Sequence, residues 1–149
     1  MKRIHISKNP NLVFDPNFKY TKIPDLFKPE GLWYGIDGAW KEWVKENQQD
    51  WMWPYEYEVL VDKTNLLVVN AGNMTEFMDE FGFLPEYLKG LDFFQPRYME
   101  VIDWNRVKEK YDGIEFNPYH RNLFNDPMWW TTIDCDSGCV WRNCFLERG

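Results

Sequence analysis

Residues 28–43 read KPEGLWYGIDGAWKEW, and this stretch limits what the chain can fold into more than any other. Leu32, Trp33 and Tyr34 make a short apolar run that closes on Gly35. Asp37, a residue type whose side chain satisfies free N–H groups at a helix start, predicts an N-cap, with a helix of about three turns running to Glu46. Trp40, Trp43 and Val44 then fall on one helix face. Large aromatics gathered around one strand-to-helix turn bury much area and need flat partners. They must stack on one another, on a core, or on something bound.

The rest of the chain mixes both periods. Residues 3–7 alternate as a first strand, 55–61 alternate and are rich in β-formers, and 66–70 read as a short apolar strand or the end of a hairpin. Asn73 opens a second helix, with Glu76 as its capping-box partner and Met74, Phe77, Met78 and Phe81 at helical spacing. Residues 85–89 suggest a further helical turn. Asp103 is a third N-cap, with Trp104, Val107 and Tyr111 on one face. After the Asp112-Gly113 turn, 114–116 is a strand. Residues 129–133 and 139–141 read as the last two strands, joined by a turn at Asp136-Ser137-Gly138. Residues 9–29 carry Pro10, Pro16, Pro24 and Pro29 and form a long loop, the kind of connection that serves as a lid. Without a regular βαβ rhythm, the class is α+β and not a parallel doubly wound sheet.

A chain of 149 residues suits one domain with a real core, and 28 aromatic side chains (9 Trp, 11 Phe, 8 Tyr) supply it with few aliphatics. The formal charge of −7 argues against nucleic acid or an anionic membrane as partner. Acidic residues are spread along the chain, unlike the dense runs of a DNA mimic. No signal peptide and no apolar run of about 18 residues is visible, so neither secretion nor a membrane span is expected. Three cysteines, Cys135, Cys139 and Cys144, are an odd number, which points to reduced thiols in a cytoplasm. Their spacing lacks the C-x2-C knuckle of zinc sites, so no metal site is assigned, even with His120 and Asp134 nearby. P-loop, GxGxxG, HExxH and nucleophile-elbow motifs do not occur.

Three constellations carry chemistry. His5 and Ser7 lie two apart on one strand face, where they can reach ribose hydroxyls while the Ile6 backbone clamps an amide; the plainer reading is an exposed polar strand. Trp33 and Tyr34 point to opposite faces, so one suits a core and the other a cleft. Trp40 and Trp43 meet three apart on their helix, as a core stripe or as a stacking wall. Glu115 sits between Ile114 and Phe116, and its carboxylate needs either solvent or hydrogen-bonding partners in a cleft.

In chain order, His5-Ile6-Ser7, then Gly31-Leu32-Trp33-Tyr34-Gly35 followed by a helix, then a late strand with Glu115, resemble the ADP-ribosyltransferases of the His–Tyr–Glu type. In that family the first strand carries His–Gly–Ser/Thr, the second motif is Gly–(Ile/Leu)–Tyr–Phe–Ala before a helix, and a late strand presents the catalytic Glu. The resemblance implies a single domain over residues 1–149, a split β-sandwich of two small sheets with flanking helices around an NAD cleft. It implies NAD as substrate, cleavage of the nicotinamide–ribose bond, and transfer of ADP-ribose to an acceptor. His5, Ile6 and Ser7 would contact the ribose and the nicotinamide amide, Trp33 would stack on nicotinamide with Tyr34 beside it, and Glu115 would be the catalytic carboxylate. Ile6 stands where the family has Gly, and Trp33 where it has Tyr. Asp112, Asp134 and Asp136 are the other acids that fit the catalytic place.

The chain is also similar, over nearly its whole length, to uncharacterised viral and phage proteins with KPxGLW, YDGI and SGC(I/V)W segments, here residues 28–33, 111–114 and 137–141. That likeness implies work in a host-cell cytoplasm and a host protein as a further partner. It opens a second reading: an inactive protein that holds NAD, ADP-ribose or a signal nucleotide as a sponge, or that inhibits a host enzyme.

Overall fold

The computed structural model describes residues 1–18, 27–90, 96–121 and 126–149. Pro24, and with it the middle of the proline-rich connection, lies outside the described residues. The order of elements is β1 (Arg3–Ser7), β2 (Leu32–Ile36), α1 (Ala39–Asn47), β3 (Tyr55–Val61), β4 (Leu66–Val69), α2 (Met74–Phe81), β5 (Gly82–Phe83), β6 (Val101–Ile102), α3 (Trp104–Lys110), β7 (Gly113–Phe116), β8 (Ser137–Val140) and β9 (Cys144–Arg148). The architecture is mixed α+β.

Seven strands form one sheet in the order β4-β7-β8-β2-β1-β3-β9, and β5 pairs with β6 apart from it. Two small sheets were expected; the strands instead run continuously through a narrow join. β1 meets β2 over two residue pairs, Arg3↔Ile36 and Ile4↔Gly35. β1 goes on pairing with β3 as far as Ser7↔Tyr55, while β2 goes on pairing with β8 back to Leu32↔Val140. The sheet therefore forks between β1 and β2 beyond Ile4↔Gly35. β4 and β7 are parallel neighbours and not a hairpin, because α2 and α3 intervene between them.

Alternation along the strands gives the sheet two apolar sides. On one side Ile114, Phe116 and Cys139 pack with Phe77 and Phe81 of α2, Trp104 and Val107 of α3, and Trp129 and Trp130. On the other side Leu32, Tyr34, Ile36, Val59, Val140 and Cys144 pack together, with Leu12 and Phe14 laid over them. Trp33 belongs to the first side and Tyr34 to the second, as period two requires.

Several expectations need correction. The run 129–133 is not a strand but part of a 3-10 turn, Met128–Thr132. A strand would send neighbouring side chains to opposite faces; here Trp129 and Trp130 are both fully buried, their rings perpendicular at 5.7 Å. Ser137 and Gly138 are not a turn but the start of β8, and β9 follows at the sheet edge, beyond the two strands expected there. Asp37 is not the cap of α1. It takes a left-handed conformation (φ 51°) and accepts a hydrogen bond from the Lys2 backbone N–H at 2.8 Å, and Gly38 (φ 83°) holds the N-cap position. Asn73 precedes α2 without the capping box, because its side chain bonds the Asn70 N–H and the Val68 carbonyl instead. Asp103 does cap α3, accepting from the Arg106 N–H at 3.3 Å.

Gly35 is what allows α1 to fold back against β2. A Cβ there would lie 2.4 Å from Cβ and 2.7 Å from N of Trp40, backbone-side contacts that no rotamer change relieves. Gly35→Ala is expected to lower stability by about 1–3 kcal/mol through overpacking. The check is urea unfolding, where the midpoint falls and the slope is unchanged.

Candidate functional site

The fork between β1 and β2 holds a cavity of 460 Å³. Its walls come from His5 and Ile6 on β1, Trp33 and Tyr34 on β2, Trp40 on α1, and Trp53 just before β3. Phe27 and Lys28 close one side, and the segment from Thr132 to Cys135, with Ser137, closes another. The volume lies in the roughly 300–1,000 Å³ range of small-molecule sites, and a largely apolar, aromatic-rich wall set with a handful of polar groups is the composition such sites use.

The aromatic wall is braced from outside. Trp33 stacks on Phe116 with ring centres 6.1 Å apart, and the Lys28 ammonium sits 5.3 Å over the Trp33 ring. Trp40 stacks on Trp43 at 5.0 Å and on Trp51 at 6.3 Å. Trp40 and Trp43 are both half-buried, and of the two only Trp40 lines the cavity.

His5 crosses the fork. Its Nδ1 lies 2.6 Å from the Trp33 carbonyl oxygen. A carbonyl can only accept, so Nδ1 carries the proton, and the neutral ring keeps Nε2 as an acceptor. Burial holds the imidazole below its ordinary pKa, against the opposing pull of the Trp33 carbonyl. Ser7 stands outside the cavity wall, where its Oγ accepts from the Asn9 N–H at 3.0 Å.

Glu115 lies behind the site, not in its wall. It is 2 % exposed. Its Oε1 pairs with Nε of Arg3 and accepts the Tyr34 hydroxyl at 2.8 Å. Burial works against the Arg3 charge, but the bond to Glu115 and its charge outweigh it, and the guanidinium pKa is raised. Burial, reinforced by Glu115, holds the Tyr34 hydroxyl well above its ordinary pKa, so it remains a donor.

Among the other acids, Asp134 is the one in the cavity wall. Burial raises its pKa, with Lys28 and Arg121 opposing. Asp112 is buried against Arg142 (2.6 Å) and Asn143 (3.0 Å), and Asp136 accepts the Tyr119 N–H at 2.5 Å. Cys135 beside the cavity is a free thiol pushed up to about 12 by burial and by Asp134 and Asp136, which makes it a poor nucleophile. No group of three or more His, Cys, Asp or Glu side chains gathers to hold a metal among the described residues. No helix among them is long and apolar enough to cross a membrane.

Of the residues singled out from sequence, His5, Ile6, Trp33 and Tyr34 come together at the fork, Glu115 lies one contact behind them through Tyr34, and Ser7 lies apart. Arg3, Lys28 and Trp53 were missed. Arg3 was findable, since it shares a strand face with His5 and Ser7 at period two. In comparisons with known proteins, no family model, no curated protein and no solved structure matches this chain.

The lowered His5 pKa has a thermodynamic consequence. The unfolded chain takes up a proton near the ordinary histidine value, while the folded chain resists until lower pH, so this residue makes stability fall as pH drops through about 6.5. The expected result is a melting temperature that declines from pH 7.5 to 5.5 less steeply in His5→Gln than in the wild type, measured by circular dichroism. Equal slopes would remove His5 as a source of the dependence.

Proposed function

We propose that the fork binds a dinucleotide of the NAD class and that the chain cleaves its nicotinamide–ribose bond, transferring ADP-ribose to an acceptor. The observation that carries the reading is the meeting of His5, Ile6, Trp33 and Tyr34 around one aromatic cavity, four residues drawn from two segments far apart in the chain. A pyridinium ring fits between flat indole faces, which attract cations as well as apolar rings. The unprotonated Nε2 of His5 supplies an acceptor for a ribose hydroxyl. Lys28 supplies a cation for the pyrophosphate. In this reading the fork is the cleft of an ADP-ribosyltransferase-like split sandwich, with the joined sheet serving as its two halves.

Departure of nicotinamide leaves positive charge on the ribose, as in glycoside cleavage, and a carboxylate beside that carbon lowers the barrier. Asp134 takes this role, because among the described residues it is the acid that lines the cavity. Glu115 already shares its charge with Arg3 and lies outside the wall.

That same locked state of Glu115 favours a second reading, in which the protein holds NAD, ADP-ribose or a related nucleotide without turnover. Calorimetry with NAD and chromatographic measurement of released nicotinamide separate the two. The transferase reading expects binding with release, and a release rate at least about a hundredfold lower in Asp134→Asn with affinity kept. Binding without release supports the second reading, absence of NAD binding overturns the first, and absence of binding to both NAD and ADP-ribose in parallel titrations overturns both.

A further inference from the structure

Arg3, Tyr34 and Glu115 meet on three strands at the point where the sheet divides. Arg3 lies in the last paired stretch of β1 and β2, and Tyr34 is the first residue of β2 past the final rung, Ile4↔Gly35. Glu115 reaches them from β7, with β8 in between. The registers Glu115↔Gly138 and Tyr34↔Gly138 put Glu115, Gly138 and Tyr34 in one row across the sheet, and Arg3, paired with Ile36, reaches in from β1 two residues off that row. Gly138 is the gap that lets them touch: a Cβ there would lie 2.5 Å from both Cζ and the hydroxyl oxygen of Tyr34. One carboxylate oxygen takes both donors, and Arg3, Tyr34 and Glu115 are 7 %, 3 % and 2 % exposed. A charge in such a place is tolerable only while it is paired and hydrogen-bonded. To act on a ligand, Glu115 would have to leave both partners and pass through the wall that Tyr34 forms.

We infer that Glu115 is a positioning residue: with Arg3 it pins Tyr34 beside the join and so sets how far β1 and β2 part, which sets the width of the cavity and its fit to a flat ring. The identity of that ring rests on the nucleotide reading above; the positioning does not. The consequence is a site whose affinity is controlled from behind. Losing the Tyr34 hydroxyl loosens the wall without removing an aromatic face, and losing the Glu115 charge loosens it further.

The cavity carries its own reporter. Cys135 lines it, whereas Cys139 and Cys144 are buried in the two cores on either side of the sheet. The experiment is alkylation of the folded, full chain with iodoacetamide, followed by peptide mass spectrometry at each cysteine, for the wild type, Tyr34→Phe, Glu115→Gln and Arg3→Lys. The expected result is labelling of Cys135 about fivefold faster in Tyr34→Phe, the effect of one hydrogen bond, and faster still in Glu115→Gln, with Cys139 and Cys144 at wild-type rates. Arg3→Lys, which keeps the charge pair, falls between the wild type and Glu115→Gln. Wild-type rates at Cys135 in both Tyr34→Phe and Glu115→Gln overturn the inference. So does a parallel rise at all three cysteines, which is general loosening; Tyr34→Phe keeps the test valid if Glu115→Gln does not fold. NAD calorimetry on the same proteins is the separate arm. A wild type that ignores NAD while the Cys135 pattern holds sinks the nucleotide reading and leaves the positioning role standing. Where NAD is turned over, positioning predicts a weaker KM with kcat nearly kept in Glu115→Gln. A kcat loss of about a hundredfold or more at unchanged affinity would instead make Glu115 catalytic.

Discussion

The buried pairing of Arg3 with Glu115 is the contact on which the rest of this molecule turns. It brings the first strand and one of the last strands of the sheet together across 112 residues of chain. Breaking a pair of this kind from one side leaves an uncompensated buried charge, which costs about 3–5 kcal/mol, a large share of a small domain's stability. The pair is less a source of net stability than a constraint on arrangement, because one carboxylate oxygen takes both the guanidinium and the Tyr34 hydroxyl. Gly138 is part of the same constraint, since its missing side chain leaves room for Tyr34 to cross.

From that join the two halves of the sheet diverge, and the divergence makes the site. β1 follows β3 while β2 follows β8, and the gap between them is walled by aromatic residues that each half supplies. The fork stays open because its rims are separately braced: Trp33 rests on Phe116 and the large aromatic core behind it, and Trp40 rests on Trp43 and Trp51. His5 spans the gap with one hydrogen bond to the Trp33 carbonyl. A cavity held open by stacked rings needs little rearrangement to take a flat ligand, which limits the ordering cost of binding.

The pattern of elements was legible wherever a local signal was strong. Strands at 3–7 and 55–61 and helices beginning near 39, 74 and 104 follow from alternation, helical spacing and local start signals, and the structure has them. The failures share one cause, which is that a competing partner, near or far along the chain, outbid the local preference. Asp37 had the chemistry of a cap but spends its side chain on the Lys2 N–H. Asn73 likewise turns to Asn70 and Val68. Ser137 and Gly138 had the composition of a turn, yet β2 and β7 on either side recruit them into a strand. Trp129 and Trp130 alternate with nothing, because the core takes both.

The sequence by itself determined that His5 and Ser7 share a strand face, that Trp33 and Tyr34 face opposite ways, and that the strand gives way to the helix at Gly35, where a small residue stands. These are consequences of period two and of steric size, which act between neighbours. It did not determine which acid faces the cavity. Glu115 and Asp134 both sit beside apolar residues in the chain, and the choice between them came from the order of strands. That order set Glu115 in a row with Gly138 and Tyr34, within reach of Arg3, and left Asp134 at the cavity wall. A carboxylate's role depends on what neutralises it, and here the neutralising cation lies 112 residues away, beyond the reach of any local pattern.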